Sequence, residues 1–474
     1  MRCSACLALL VLAFGYATSV ARAQSAVVSS QAAEIGMAVP VPTRALTLPE
    51  ALAFAHDHQP AIRAALARVA ASTEAAKVPD GQWKPTVGVT GQIFAMTANN
   101  STATFVSPRV FDVPRVGATL VSPTARFAPY ASTFVGAGIV QEIFDFGRIA
   151  AARAAGDAEV AAERQRAAGE RLDVDFGVEE AFFAVFASKA IVKASDDAYV
   201  RAKAHRDLAE AGVVAGLRSP IELTRAEADL LRFEVGRIRA RGGVAIAQSV
   251  FAAAIGSPEP AVDAVGTLPT PREMPTLTSA IQRATAKSPR LLALLAEIKS
   301  AEARTRATAA EMRPDLSMTA TISGRAGGAP PSSGELSDGH GFLPNVPNWD
   351  AGLVFTWPLF EGPIAARRDA AKATEQVRRE EAMVAKEDEL AKVRQAYVSV
   401  EVARAALVGL ERAAVAAKAN YDQADARFRA GLGTSVELAD AESLRTDAEI
   451  QLALGRFEAA RARAAFGRAI AEGL

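Results

Sequence analysis

Few residues of this chain have a type and spacing that could do chemistry. His56-Asp57-His58 looks like part of a metal site. Side chains two apart on a helix point to different sides, and no third ligand lies nearby, so the histidines read as a surface pair rather than as zinc ligands. His205 and His340 are isolated. No Ser/His/Asp order, phosphate loop or H-E-x-x-H stretch occurs. The chain reads as a non-enzyme, with no metal site and no cofactor. What remains are carboxylates. Glu437 and Asp440 stand three apart, on one helical face, and Glu222 holds the place of Glu437 in an earlier copy of the same pattern. In that copy Arg225 stands where Asp440 would be. Read by themselves, these acids pair with neighbouring arginines such as Arg445, as charged helix faces commonly do.

The elements that must position them come from an internal repeat. Leu48-Pro49-Glu50-Ala51-Leu52 is echoed by Leu277-Thr278-Ser279-Ala280-Ile281, Gln59-Pro60 by Ser288-Pro289, and Lys84-Pro85 by Arg313-Pro314, all at one offset. Ile143-Phe144-Asp145 is matched by Leu359-Phe360-Glu361, and Ala215-Gly216-Leu217 by Ala430-Gly431-Leu432, at a shorter offset. The first copy therefore carries extra residues between its two strands. Each copy opens with one helix, with Leu48, Leu52, Ile62, Leu66 and Val69 near helical spacing in the first. A strand follows, Thr86 to Ile93 or Leu316 to Ser323, then a Gly/Pro/Ser/Asn-rich loop over roughly 97–130 or 324–348. The return strand is weak over Ser132 to Phe144 and strong over Trp349 to Trp357, where Trp349, Ala351, Leu353, Phe355 and Trp357 share a face. Gly327-Gly328 reads as a flexible loop tip. A proline-free helix then spans Gly147 to Ala215, about 100 Å at about 1.5 Å per residue. Glycine turns at Gly216 and Gly431 lead into returning helices over 220–255 and 436–472. Helices that long need lateral partners, as in coiled coils.

Composition sets outer bounds. The chain has 474 residues, with 53 Lys+Arg against 53 Asp+Glu. That balance excludes a nucleic-acid binder held by a global basic field. Arg2, the apolar run Cys6 to Tyr16 and Ala21-Arg22-Ala23 read as an exported signal peptide with its cleavage site. Both cysteines, Cys3 and Cys6, lie within it, so no disulfide framework is expected. The expected organisation is a signal peptide over 1–23, an N-terminal extension over 24–45, a first repeat over 46–256, a linker over 257–275 and a second repeat over 276–474. No long apolar helix follows the signal, so any membrane passage must be made by strands. Four strands cannot close a barrel whose smallest known form has about eight. Several chains would have to share one.

These motifs resemble the outer membrane efflux proteins of the TolC type. The resemblance runs from about Leu46 to Leu474. It rests on Leu48-Pro49-Glu50-Ala51-Leu52 with Gln59-Pro60, Gln141 to Arg148, Trp357 to Gly362, and Arg427 to Gly431 running into Val436 to Asp440. It implies an α+β membrane protein of two tandem helix-strand-strand-long helix-helix repeats. Three chains would form one 12-stranded outer-membrane β-barrel, continued by a long α-helical barrel in the periplasm. The implied function is the exit duct of a tripartite efflux or type I secretion system, with a homotrimer, a periplasmic adaptor (membrane fusion) protein, an inner-membrane pump and outer-membrane lipid as partners, and no nucleic acid. It further implies a periplasmic gate at Glu437, Asp440 and Glu222, and adaptor-contact tips at Gly216, Leu217, Gly431 and Leu432, whose leucines otherwise simply close helix on helix. The strand-to-helix junctions are placed at Phe144, Asp145 and Gly147 and at Phe360, Glu361 and Gly362. Two other classes compete: a partner-independent general porin, and a coiled-coil envelope protein without a channel.

Overall fold

The computed structural model describes residues 44–96, 130–266, 273–327 and 346–472. The segment read as signal peptide, nearly all of the N-terminal extension, His340, most of both interstrand loops and part of the linker lie outside them. One order of elements runs twice. The first copy has α1 (Leu48–His58), α2 (Pro60–Ala75), β1 (Thr86–Met96), β2 (Tyr130–Phe144), α3 (Arg148–Val214) and α4 (Pro220–Ile255). The second has α5 (Leu277–Lys287), α6 (Pro289–Ala310), β3 (Asp315–Gly327), β4 (Val346–Thr356), α7 (Gly362–Arg429) and α8 (Ser435–Ala469).

The single opening helix expected of each copy is two helices, and the reason is proline. Pro60 and Pro289 have no N–H and disfavour a helical residue before them. Gln59 is extended, with ψ 120°, and so is Ser288, with ψ 117°. Ser288 instead caps the next helix, its hydroxyl accepting from Leu291 N at 3.5 Å. The strands also run past their expected ends. Gly327 closes β3 and Val346 opens β4, so both belong to strands rather than to the loop, while Trp357 falls outside β4.

The chain divides into two compact units. One comprises the described residues of Met1–Pro60, Val174–Pro271 and Ala403–Ala464. The other comprises Ala61–Asp173, Arg272–Val402 and Ala465–Leu474. In the first unit α1 packs on α3 and α4 through Ala51, Ala55, Phe182, Val185, Phe251 and Ile255, all buried. Phe182 and Phe251 meet edge to face at 5.8 Å. Truncating such a ring in a close-packed core costs about 3–5 kcal/mol. The α7 segment of this unit buries or half-buries Ala403, Leu407, Leu410, Ala414, Ala417, Tyr421, Ala424 and Phe428. Their alternating four-and-three spacing is a coiled-coil seam. It explains why so long a helix needs so few aromatics.

The second unit holds the sheet, antiparallel throughout in the order β1-β2-β3-β4. Register settles which side chains share a face. Val89 stands opposite Ala137, Ala137 opposite Ile322, and Ile322 opposite Trp349. Because side chains alternate along a strand, Val87, Val135, Ile139, Met318, Ala320, Leu353 and Phe355 join that face. The other carries Thr86, Gly88, Thr90, Gly136, Gly138, Thr319, Thr321, Asp350 and Gly352, with Val140 and Val354. One face is apolar and exposed, with Val89 and Trp349 each 76% accessible in a single chain. Strands β1 and β4 are the two edges, unpaired on their outer sides among the described residues.

Candidate functional site

The first strand-to-helix junction is a built corner. Phe146 and Gly147 take φ of 51° and 92°, turning the chain from β2 into α3. Asp145 is buried and caps the helix with both oxygens: Oδ1 accepts from Gly147 N at 3.0 Å and Oδ2 from Ile149 N at 2.5 Å. Phe144 meets Phe146 edge to face at 4.6 Å. The second junction does not repeat this. Phe360 is 91% exposed, Glu361 is exposed, and Gly362 begins α7. The repeat holds in sequence position but not in capping chemistry.

The two helical turns do match. Gly216 and Gly431 have φ of 69° and 72°, the left-handed conformation that glycine adopts without a Cβ penalty. Leu217 N and Arg218 N donate to Gly212 O at 2.9 and 3.1 Å; Leu432 N and Gly433 N donate to Arg427 O at the same distances. Backbone donors beyond the helix end thus satisfy an otherwise orphaned carbonyl. Leu217 and Leu432 project into solvent, 83% and 75% exposed.

The three acidic residues have separate surroundings. Glu222 accepts from Arg218 Nη1 at 2.9 Å. Glu437 starts α8 in a reciprocal cap, its N–H donating to Thr434 Oγ1 at 3.2 Å while its Oε2 accepts from Thr434 N at 3.4 Å. It also lies 3.9 Å from Arg427. Asp440 is exposed one turn on, with no ion pair among the described residues. Arg445 pairs with Glu449 at 3.0 Å and Asp422 at 3.7 Å rather than with either acid.

The sequence reading missed what ties the hairpins together. The Arg218 guanidinium lies over the Phe428 ring, 3.7 Å from its centroid, and donates to Phe428 O at 3.1 Å. His205 meets the same ring at 4.8 Å, and its Nε2 is buried without a hydrogen-bond partner among the described residues. Burial holds the His205 pKa below its ordinary value, against the pull of Asp229. Above this, Arg201 grips Glu442 with two contacts of 2.9 Å, both groups largely buried. Burial pushes the Glu442 carboxyl up, against Arg201. Arg201, His205, Phe428 and Glu442 line a cavity of about 420 Å³ with Tyr421 and Leu438. One signal was available: Arg218 stands where the second copy has Gly433. Nothing local marks Arg201 or Glu442. A larger cavity, about 820 Å³, lies in the other unit between α3, α6, α7 and the end of α8 and touches none of the site residues read from sequence.

The histidines near the start are not a free surface pair. His56 Nε2 lies 2.5 Å from Asp175 Oδ1, and His58 stacks on Phe54 at 4.2 Å. Among the described residues no three His, Cys, Asp or Glu are placed to hold a metal ion, and no helix is long and apolar enough to cross a membrane.

Long paired helices, a four-stranded sheet with one apolar face, and two matched glycine turns define a class of envelope protein. Residues 51–257 and 280–472 match the outer membrane efflux protein family, and the chain belongs to it. The fold agrees with solved structures. VceC of Vibrio cholerae, an outer membrane protein, is 18% identical, with TM-score 0.69 over 89% of this chain and 95% of that one. The Campylobacter jejuni CmeC outer membrane channel is 15% identical, with TM-score 0.71 over 90% and 86%. The open state of the Neisseria gonorrhoeae MtrE outer membrane channel is 18% identical, with TM-score 0.68 over 90% and 89%. No curated protein matches the chain in sequence. The protein is an outer-membrane efflux protein, of a transport family rather than an enzyme family.

Proposed function

We propose that three copies of this chain close their sheets into one 12-stranded barrel in the outer membrane, continued by a periplasmic tunnel of the long helices. The duct passes solutes from periplasm to exterior for a tripartite efflux or type I secretion system. A periplasmic adaptor engages the turns at Gly216-Leu217 and Gly431-Leu432, and an inner-membrane pump supplies the energy. The observation that carries this reading is the sheet, with an apolar face suited to lipid, a face of Thr, Ser and Gly suited to a water-filled lumen, and two free edges. Open edges cannot sit in hydrocarbon, so the edge β1 of one copy meets β4 of the next. The junction residues Phe144, Asp145, Gly147, Phe360, Glu361 and Gly362 mark the passage from barrel to tunnel. Residues 1–23 are removed on export, and the repeats over 46–256 and 276–474 each supply two strands and one hairpin.

The tunnel end is gated by the acids near the turns. Asp440 is the unpaired carboxylate that faces permeant cations, while Glu222 and Glu437 hold the turns to Arg218, Thr434 and Arg427. Single-channel conductance of the detergent-extracted oligomer, with and without divalent cation, tests this. A small conductance blocked from one side, and relieved of block in Glu437→Ala with Asp440→Ala, is the expected outcome. A large, unblocked conductance in the unmodified chain sinks the gated duct and points to an open porin.

A further inference from the structure

The cavity of about 420 Å³ takes its walls from α3, α4, α7 and α8, all within the first unit. Its size falls in the range of sites for small organic molecules. Three of its rings, Phe233, Tyr421 and Phe428, have one thing in common: a guanidinium stands over each. Arg232 lies 4.9 Å from the Phe233 centroid, Arg445 4.9 Å from that of Tyr421, and Arg218 3.7 Å from that of Phe428. An aromatic face attracts cations through its quadrupole, and these rings already hold cations from outside the lining.

The polar groups of the wall point to the same kind of guest. Asp229, Asp425 and Glu442 line it against Arg201 and Arg429, a surplus of one carboxylate. Arg201 is taken by Glu442, and Arg429 by Asp425 at 3.0 Å. That leaves Asp229 without a cation in the lining among the described residues; it is paired at 3.2 Å with the exposed Arg232. His205 adds Nε2, buried and without a hydrogen-bond partner among the described residues. Burial keeps this imidazole neutral, and Asp229 is the strongest charge acting on it. With the ring proton on Nδ1, Nε2 is a bare acceptor. A buried acceptor, a carboxylate with only an exposed partner and aromatic walls together complement an ammonium group carried on an aromatic body. A metal ion is a poorer fit, because no three His, Cys, Asp or Glu among the described residues are placed to hold one.

We propose that this cavity binds one small aromatic ammonium ion per chain, its N–H groups donating to Asp229 and to His205 Nε2 and its ring lying against Phe233 and Tyr421. The walls belong to both hairpins, so the guest braces one against the other. The site is complete within one chain, and it stands or falls separately from the duct.

The probe is 2-phenylethylammonium, with 2-phenylethanol as its uncharged match. Each is titrated into the full-length, detergent-extracted protein and followed by saturation-transfer NMR, with empty micelles subtracted, and equilibrium dialysis counts the bound molecules. The amine should bind saturably, one per chain, about tenfold or more tighter than the alcohol, since a hydrogen bond to a charged group is worth at least that factor. Asp229→Asn and His205→Phe should each weaken it by about tenfold, while Asp207→Asn, the same charge change on α3 outside the lining, should not. Ala204→Trp, at an exposed position of the lining, should block the cavity without disturbing the core, and circular dichroism checks that each variant is folded. The site is overturned by any of four results: no saturable binding of the amine, equal binding of amine and alcohol, full binding in folded Asp229→Asn and Ala204→Trp, or binding that disappears in Asp440→Asn, which would put the probe on the acid near the turn instead.

Discussion

At the residue scale, single polar groups fix the corners. Asp145 satisfies two backbone donors at the start of α3 from a buried position. Leaving buried donors unpaired costs about 1–3 kcal/mol each. Asp145→Ala should therefore lower the thermal midpoint of the extracted protein, while Glu361→Ala at the second junction leaves it unchanged; circular dichroism melts compare them. His205 makes a pH prediction. Its folded pKa is depressed by burial, so it is neutral when folded and free to charge when unfolded. The stability it contributes is present above its ordinary pKa of about 6.5 and is lost as pH falls through the depressed folded value. Glu442, with its raised pKa, acts in the opposite sense. The difference between the unmodified protein and His205→Phe isolates the histidine: the loss of stability from pH 7 to 5 should be smaller in the variant.

At the element scale, the proposed gate is tested at the turns and at the contact between hairpins. Gly216 and Gly431 hold left-handed conformations, in which a side chain costs about 1–2 kcal/mol. Alanine at either position should destabilise the turn without changing charge. Arg218 is the more telling position because it touches both hairpins at once. A guanidinium over a ring contributes about 0.5–2 kcal/mol, and its two hydrogen bonds, to Glu222 and to Phe428 O, add direction. Arg218→Ala should raise single-channel conductance several-fold by loosening the first turn from the end of α7. Arg218→Lys should rescue only in part, since an ammonium lacks the fork. Equal conductance in all three proteins would remove Arg218 from the gate.

At the scale of the whole molecule, exposed apolar surface is the governing fact. A soluble monomer rarely exposes a contiguous apolar patch larger than a few hundred Å², yet one entire face of the sheet is apolar and open. The protein should resist extraction by salt or urea and come out in detergent as a heat-dissociable oligomer, with membrane fractionation as the measurement. Release by urea alone would leave the sheet without its lipid. The charged substitution Val89→Arg, on the apolar face of β1, should cost about 2–4 kcal/mol if it lies near the bilayer midplane, whereas Thr90→Arg, on the other face, should change ion selectivity with little loss of assembly.

Much was legible in the sequence because its causes are local. Alternation in Thr86 to Ile93 and Leu316 to Ser323 marks strands, proline-free stretches mark the long helices, and Gly216 and Gly431 mark turns that few other residues can make. The repeat and the family follow from the same patterns. Tertiary structure decided what depends on residues far apart in the chain. The weak alternation of β2 became one face of a sheet only when its register joined Ala137 to Val89 and Ile322. The split of the opening helices was written in Gln59-Pro60 and Ser288-Pro289, but the helical spacing across the break concealed it. Arg218 over Phe428, and Arg201 on Glu442, leave no periodic trace, because such pairs form wherever packing brings two distant helices to the same level. The partners of the acids named from sequence were chosen by the fold: Thr434 and Arg427 for Glu437, Arg218 for Glu222, and solvent for Asp440.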